Sequence, residues 1–508
     1  MAAVSRVLGT NAGIAATVLL ALSCYWPLSD SIPVVGGLGY DGIRYARWVR
    51  EVPVSLLPDG PRAPLVKSQL DSYAARRFLP SVVLHWAMRA FGIPRTEGNV
   101  VAAFALANLA LLALAIFCWC RAADATGLTT RGKWIGLLAL QVNYANWKMP
   151  FFYPVLTDTF ALALGALSLL FYLERRTLGL VLIMVAGGFV WPTLPYFCLL
   201  LLAFPAASRG TVEAEPGAES PRWRDAPTWA AGTVAVLYLV IVAILVSSEY
   251  RMPNTPVRPL ASLLALSASL AAAYLFFGLR TLLDAPGLWR ELRPLRILRR
   301  RGMWLAGLLL VGIEAGVASL AVAPADYSGR RFVADTLFSS ITQPGIFCLA
   351  HVLFFGPMLI FVPVLWSPMC RSIQRRGAGL TLCFALALVI AAGSESRKLM
   401  NFYPFVVLFL AERVDRSLPE AWHVRMLAVL SLLVSKVWLP MGQDLPLPLL
   451  GTIPWRSFYV SSRGPWIDHP SYLIQGVLMS IVAVLVYRSF RPALRRRASG
   501  AQDLGAAA

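Results

Sequence analysis

The sequence predicts an all-α, polytopic membrane protein with about 11–14 transmembrane helices. Hydrophobic residues make up 58% of the chain and charged residues 14%, and the mean hydropathy is +0.64. Apolar stretches long enough to cross a bilayer recur from end to end, so soluble globular classes are excluded. The 7 cysteines form no CxxC pair, which argues against a disulfide framework or a thiolate metal site.

Apolar segments suited to membrane helices follow one another along the chain. They lie near 12–28, 99–120, 134–150, 154–173, 178–191, 193–206, 228–248, 260–281, 303–323, 345–366, 379–393, 399–412, 424–439 and 471–488. The first is interpreted as an uncleaved helix, because the chain returns to the membrane many times after it. Pro192 and Pro195 predict either two short helices or one broken helix where they interrupt the apolar run.

The basic residues predict the orientation of the helices. With the N-terminus in the cytoplasm, every inner loop is basic, above all 292–301 and the C-terminal tail. Most of the net charge of +20 then faces anionic lipid, so nucleic acid is not an expected partner. Together with an Ala-, Arg- and Pro-rich composition, this topology predicts a bacterial inner (plasma) membrane, with the chemistry-bearing loops facing the periplasm or exterior.

The chain is predicted to form a single integral-membrane domain over 1–490. Within it, 29–98 is too long for a simple connection and is predicted to be a first extracytoplasmic loop. A short helix over 40–51 and an interfacial helix over 78–91 are expected in this loop. The remaining residues, 491–508, are predicted to be a cytoplasmic tail that is first basic and then disordered.

The predicted helix 40–51 places Asp41, Arg44, Tyr45 and Trp48 on one face, because their spacing is i, i+3, i+4 and i+7. Asp41 lies near the helix start, where the backbone dipole favours an anion, and Arg44 is expected to be its counter-charge. A carboxylate beside aromatic rings suits a base for a sugar acceptor. The alternative is that Asp41 caps an interfacial helix whose Tyr45 and Trp48 anchor it among lipid headgroups.

A second acidic residue, Asp158, lies near the predicted outer end of a later span, after the proline of YPVLTD. A carboxylate at that depth is costly unless it faces a cavity or a partner. This position therefore predicts a role in binding. The alternative is a charge at a helix start that simply reaches water.

A third group of charges, Glu395, Arg397 and Lys398, lies in a tight outer turn between two apolar segments. An arginine offers two parallel donors to phosphate oxygens and a lysine adds a point charge, so this turn suits a lipid-linked phosphate. Glu395 is expected to orient Arg397. The alternative is an ordinary polar hairpin between two spans.

Several familiar chemical motifs are absent from the sequence. It contains no Walker-type glycine-rich loop, no HExxH, no GxSxG of a nucleophile elbow and no Asp-x-Asp for a divalent metal. The 4 histidines are scattered rather than clustered. The sequence therefore predicts neither ATP use nor zinc chemistry, and no cofactor is expected.

The order of these features resembles a known superfamily. YDG at 40–42 follows the first span, YPVLTD at 153–158 opens a later span, and ESRK at 395–398 precedes the aromatic-proline helix NFYPFVV at 401–407. In this arrangement the chain resembles the GT-C superfamily of polyprenyl-phosphate-sugar-dependent integral-membrane glycosyltransferases. The resemblance covers most of the chain, although its motifs are short.

The resemblance implies that Asp41 is the catalytic carboxylate and that Arg397 and Lys398 hold the donor phosphate. The acidic pair usual in the first loop of that superfamily is absent here, since Gly42 follows Asp41. The other residues predicted to bind substrate are Arg44, Tyr45, Asp158 and Glu395.

The predicted function is an inverting, metal-independent transfer of a sugar from a polyprenyl phosphate to an acceptor hydroxyl on the extracytoplasmic face. The expected partners are the lipid-linked donor, an acceptor on a glycan, lipid or protein, and membrane lipid. Three alternatives remain open: a transporter or flippase of lipid-linked sugars, a glycan polymerase or ligase that uses a polyprenyl diphosphate, and a non-catalytic scaffold.

Overall fold

The computed structural model describes residues 10–32, 34–55, 71–206, 225–252, 258–285, 287–298, 300–321, 328–417, 421–439 and 464–505. Across these residues the chain forms helices and turns without a strand. The all-α prediction is therefore confirmed for the described part of the chain. Residues 56–70 of the predicted first loop and 506–508 of the predicted tail lie outside it.

Most of the described residues lie in α-helices. In chain order they are α1 (Asn11–Tyr25), α2 (Gly39–Ser55), α3 (Ser72–Ala75), α4 (Leu79–Ala90), α5 (Glu97–Ala125), α6 (Thr130–Gln141), α7 (Met149–Phe152), α8 (Asp158–Leu173), α9 (Thr177–Gly188), α10 (Leu194–Ala203), α11 (Ala226–Ser247), α12 (Leu264–Leu283), α13 (Leu288–Glu291), α14 (Pro294–Leu298), α15 (Arg301–Leu320), α16 (Gly329–Ser339), α17 (Ile346–Phe355), α18 (Phe361–Gln374), α19 (Ala378–Ala391), α20 (Tyr403–Ser417), α21 (Ala421–Ser435) and α22 (His469–Gly505). A 3-10 turn, Ser396–Leu399, lies between α19 and α20.

Among the described residues, 6 helices are long and apolar enough to cross a membrane. These segments are Asn11–Leu28, Glu97–Ala125, Ala226–Ser247, Ala261–Leu283, Arg301–Leu320 and His469–Arg488. Shorter apolar helices lie between them, including α8, α9, α10, α17 and α19. These helices indicate a membrane protein. The larger predicted number of about 11–14 spans would require the shorter helices to cross as well.

The predicted span 134–150 is wrong as a single helix. The chain leaves the helical conformation after Gln141, and the side chain of Asn143 accepts from the Asn146 amide while donating to the Leu140 carbonyl. These side-chain bonds compete with the helical ladder. The chain then continues through a π-helical turn, Tyr144–Lys148, into α7.

Two other expectations concern helix ends. The segment around Trp191 and Pro192 forms two short helices, α9 and α10, as one of the two predicted alternatives requires. Within the tail predicted to be first basic and then disordered, α22 continues to Gly505. Alanine, leucine and arginine, which favour helix, are frequent in this segment.

The predicted first loop contains α2, α3 and α4. The helix expected over 40–51 is observed as α2, and the one expected over 78–91 is observed as α4. α2 packs on α4 and on α5, and the ring of Trp48 lies 5.8 Å from that of Phe78. α2 is therefore held against the helical bundle rather than separate from it.

The middle of α8 is brought against the turn before α20 by a close backbone approach at Gly165. A Cβ added at Gly165 would lie 2.0 Å from the carbonyl oxygen of Asn401, so only glycine fits there. α8 also packs along α5. This packing carries Asp158, the first residue of α8, towards the turn that contains Arg397.

Candidate active site

A buried ion pair forms the centre of the candidate site. Arg397 donates from Nε to Oδ1 of Asp158 at 2.6 Å and from Nη2 to Oδ2 at 2.7 Å. The exposed fraction is 7% for the arginine side chain and 9% for the carboxylate side chain. Two parallel charge-assisted bonds fix the plane of the guanidinium as well as its position. Asp158 therefore has a cationic partner. Such a partner offsets the cost of placing a carboxylate at the predicted outer end of a membrane span.

Asp41 lies on the other side of the same guanidinium. Its Oδ2 is 3.9 Å from Nη1 of Arg397, and 59% of its side chain is exposed. The sequence had named Asp41, Asp158 and Arg397 from three distant segments, and the structure brings all three together. Within this group, Asp41 is the carboxylate that a solute can reach.

The start of α2 is held in place by Tyr153. The Tyr153 hydroxyl accepts from the backbone amides of Asp41 at 2.6 Å and of Gly42 at 3.2 Å. Gly39 has φ +64, and a Cβ added there would lie 2.3 Å from the Tyr153 ring. Glycine at position 39 therefore permits both the turn and the close approach. Since the first amides of a helix lack internal partners, this phenol satisfies two of them.

The electrostatics of Arg397 follow from its neighbours. Burial acts to lower the pKa of the guanidinium, but the carboxylates of Asp158 and Asp41 outweigh burial and raise that pKa well above its ordinary value. Arg397 therefore keeps its positive charge throughout the physiological range. It is a permanent cation between two acidic residues.

Lys398 and Glu395 lie next to this group in the same turn. Lys398 donates from Nζ to Oγ1 of Thr336 at 2.7 Å, lies 3.3 Å from Oε2 of Glu395, and sits 4.3 Å from the centre of the Phe332 ring. Glu395 had been expected to orient Arg397. The two hydrogen bonds that orient Arg397 come from Asp158 instead, because the packing of α8 places that carboxylate in the plane of the guanidinium.

Arg44 was predicted to be the counter-charge of Asp41, but the structure pairs it with Asp71. Its Nη1 lies 3.6 Å from Oδ2 of Asp71, and the cation that faces Asp41 is Arg397. Asp71 also accepts from the Ala74 amide and so caps the short helix α3. Arg44 is therefore part of the link between α2 and α3.

Tyr45 and Trp48 are buried inside the protein. The alternative in which they anchor an interfacial helix among lipid headgroups is therefore wrong. Burial raises the pKa of the Tyr45 phenol, while the nearby guanidinium of Arg77 acts to lower it. Tyr45 lies close enough to Asp41 and Arg397 for their charges to act on it, so it belongs to the wall of the site.

Sequence analysis missed Arg77. This buried guanidinium lies 4.3 Å from the centre of the Trp191 ring and 4.7 Å from that of Tyr73, and its Nε has no hydrogen-bond partner in the described structure. Burial acts to lower its pKa, but the neighbouring phenols of Tyr73 and Tyr45 help to raise it above its ordinary value. Two consecutive arginines in an outer loop, against the positive-inside trend, were the available signal.

A cavity of about 350 Å³ adjoins the ionic cluster. Tyr73 lines it and stacks under Arg77, while Thr336 lines it and accepts from Lys398. Its lining also includes apolar side chains, among them Leu386 and Ile390 of α19. The charged residues thus lie beside a hollow whose lining is partly polar and partly apolar.

The described residues contain no group of three or more His, Cys, Asp or Glu placed to hold a metal ion. No protein-family model, curated protein or solved structure matches this chain. Its function is therefore inferred from the residues of the site and their geometry.

Proposed function

We propose that this protein is a membrane glycosyltransferase that moves a sugar from a polyprenyl phosphate to an acceptor hydroxyl on the extracytoplasmic side. One observation carries the proposal. The accessible carboxylate of Asp41 lies 3.9 Å from a buried arginine that Asp158 holds rigidly. An exposed acid beside a fixed cation supplies both a proton acceptor and a positive charge at one reacting centre.

The chemistry needs a single displacement. Asp41 takes the proton from the acceptor hydroxyl while that oxygen attacks the anomeric carbon and the bond from this carbon to the phosphate oxygen breaks. The electron pair leaves with the lipid phosphate, and the Nη1 group of Arg397 and the ammonium of Lys398 meet the added charge. Attack opposite the leaving group inverts the anomeric centre.

The apolar helices around the site support a lipid-linked donor. A sugar on a long prenyl chain stays in the bilayer and presents its phosphate at headgroup depth. The predicted orientation puts the turn of Arg397 at that depth on the outer side. Since the positive-inside rule does not account for basic residues on the outer side, a role in meeting the charge of a phosphate would explain Arg397 and Lys398 there.

Transfer from a panel of polyprenyl-phosphate sugars by the protein in lipid nanodiscs tests this proposal. Released polyprenyl phosphate and glycosylated acceptor are both measured, and Asp41→Asn is expected to lower the rate on the order of 100-fold or more. The matched control is Glu97→Gln, which changes another carboxylate of the same predicted loop, 3.6 Å from Arg50.

Near-full transfer by Asp41→Asn would show that Asp41 is not the base. Movement of intact donor across the bilayer without cleavage would instead identify a transporter. Exclusive use of polyprenyl-diphosphate donors would identify the polymerase or ligase alternative.

A further inference from the structure

The cations first expected to hold the donor phosphate are engaged with acidic residues. Arg397 gives Nε and Nη2 to Asp158 and turns Nη1 towards Asp41. Lys398 lies between Thr336 and Glu395. A resting donor phosphate at these two residues would compete with, and be repelled by, three nearby carboxylates. The phosphate therefore needs a further cation.

Arg76 is the cation that lines the neighbouring cavity. Its Nη2 contacts Oε2 of Glu314, a residue of α15 that also accepts from the Tyr196 hydroxyl at 3.3 Å. The Arg76 side chain is 16% exposed, whereas its Nη1 is buried and has no hydrogen-bond partner in the described structure. A buried donor without a partner is unfavourable, so a small shift of the guanidinium that brings it onto an anion in the cavity would satisfy it.

The cavity of about 350 Å³ is lined by Arg76, Ser72 and Tyr73 from α3 and the turn after it. It is also lined by Leu386, Val389 and Ile390 of α19. These three residues recur at i, i+3 and i+4 and so form one apolar stripe along α19. The lining therefore offers a cation and hydroxyls from α3 and the turn after it, and a hydrocarbon surface from α19.

The size of the cavity limits what it can hold. Small-ligand sites commonly have volumes of about 300–1,000 Å³, and this one is near the lower limit. A phosphate with the first part of one chain fits such a volume better than a phospholipid with two acyl chains. Tyr73 and Thr336 are shared between the cavity and the ionic cluster, so a ligand here reaches the reacting centre.

We infer that this cavity, which we call the Arg76 cavity, binds the phosphate and adjoining prenyl chain of the donor lipid. The phosphate binds the guanidinium of Arg76, and the chain follows the stripe Leu386, Val389 and Ile390. This assignment rests on the proposed function, and it moves the resting phosphate from Arg397 to Arg76. Arg397 then acts on the leaving group during transfer.

Binding of farnesyl phosphate to the full-length protein in detergent tests the inference without any transfer step. Arg76→Met is expected to weaken binding about tenfold or more, since it removes a charge-assisted bond to the phosphate. The control is Arg89→Met, an exposed arginine of α4 that stacks on Trp86 and lies outside the cavity. Farnesol and inorganic phosphate, each carrying half of the ligand, are expected to bind at least about tenfold more weakly than farnesyl phosphate.

A second variant tests the apolar part of the lining without changing any charge. Val389→Trp fills the hollow and is expected to weaken farnesyl phosphate binding about tenfold, whereas Leu382→Trp, about two turns away on α19 and outside the lining, leaves it unchanged. Thermal unfolding of each variant shows whether the fold is kept.

Wild-type affinity in both Arg76→Met and Val389→Trp would overturn the inference. Equal displacement of farnesyl phosphate by a two-chain phosphatidic acid would also overturn it, since the cavity would then be a general phospholipid site. Failure of the proposed function gives a different result. In that case the wild-type protein releases no polyprenyl phosphate and glycosylates no acceptor in the transfer assay, whatever the Arg76 variants bind.

Discussion

The two predicted faces of the molecule handle buried charge in opposite ways. On the predicted inner face, Glu412 is surrounded by cations and only 5% of its side chain is exposed. Its carboxylate lies 3.2 Å from Arg376, 3.1 Å from Arg416 and 3.7 Å from Arg413, and it accepts from Ser372. Positive charge is in excess there, and the carboxylate has no free face.

On the predicted outer face one buried cation is shared between two acidic residues. One arginine, Arg397, serves two carboxylates, and the second of them, Asp41, remains largely exposed. A carboxylate enclosed by arginines can only hold helices together. A carboxylate that shares its cation with another acid and still faces solvent can accept a proton. The comparison thus separates a structural cluster from a candidate reactive one.

The strongest test of this comparison is Asp158→Asn. The substitution removes the charge that fixes Arg397, so we expect transfer to fall on the order of 100-fold because the reacting groups lose their alignment. We also expect a loss of about 3–5 kcal/mol in the free energy of unfolding, since a buried ion pair is broken. Turnover per folded molecule and thermal unfolding measure the two effects. Wild-type turnover in a folded protein would remove Asp158 and its ion pair from the site.

Glu412→Gln is the matching change on the other face. It leaves three arginines without their shared carboxylate, so unfolding should become easier by a similar amount, about 3–5 kcal/mol. Transfer per folded molecule should stay within about twofold of wild type, because the cluster holds helices and touches no substrate. A fall in turnover as large as that of Asp158→Asn would break the distinction between the two faces.

A smaller effect is expected from Tyr153→Phe. The change leaves the amides of Asp41 and Gly42 without their acceptor, at a cost of about 1–3 kcal/mol, and a tenfold fall in kcat corresponds to about 1.4 kcal/mol. We therefore expect kcat to fall about tenfold while KM stays unchanged, since Tyr153 positions the base and does not bind substrate.

Tyr172→Phe is the control for that change. Its hydroxyl donates to the carbonyl of Phe204 at the predicted inner end of the bundle, far from α2 in the chain. Equal kinetics for the two phenylalanine variants would show that the Tyr153 hydroxyl does not position Asp41.

The smallest effect is expected from Arg44→Gln. The Arg44 side chain is 44% exposed and its 3.6 Å contact with Asp71 is long, so the pair is worth at most about 1 kcal/mol. Transfer should change less than about twofold. A loss comparable to that of Asp41→Asn would return Arg44 to the role first predicted for it.

The sequence identified the charged members of the site because each interrupts an apolar pattern. Asp41, Asp158 and Arg397 lie next to predicted spans on the side that carries few topological charges. Their pairing was not predictable in the same way. It depends on the contact between Gly165 of α8 and the backbone of Asn401, which no local pattern records.

Other structural features were not predicted because they depend on individual side-chain contacts that hydrophobic periodicity does not show. The helix within the predicted span 134–150 ends early because the Asn143 side chain forms hydrogen bonds with nearby backbone groups. A hydropathy pattern does not record such bonds and shows only a continuous apolar segment. Arg76 and Arg77 lie in the turn after the short helix α3, where the sequence has no periodic pattern. Their predicted roles depend on the residues that they contact. Arg76 meets Glu314, which is distant in sequence.

The turn between Tyr153 and Asp158 has a consequence for how this protein tolerates change. Its first residue, Tyr153, accepts a hydrogen bond from the backbone of α2, and its last residue, Asp158, accepts one from Arg397. This short segment therefore sets the distance between Asp41 and Arg397, which are hundreds of residues apart in the sequence. An insertion in that segment would change the position of Asp41 relative to Arg397 while leaving both residues in the chain. Long insertions elsewhere in the predicted loops would spare this spacing.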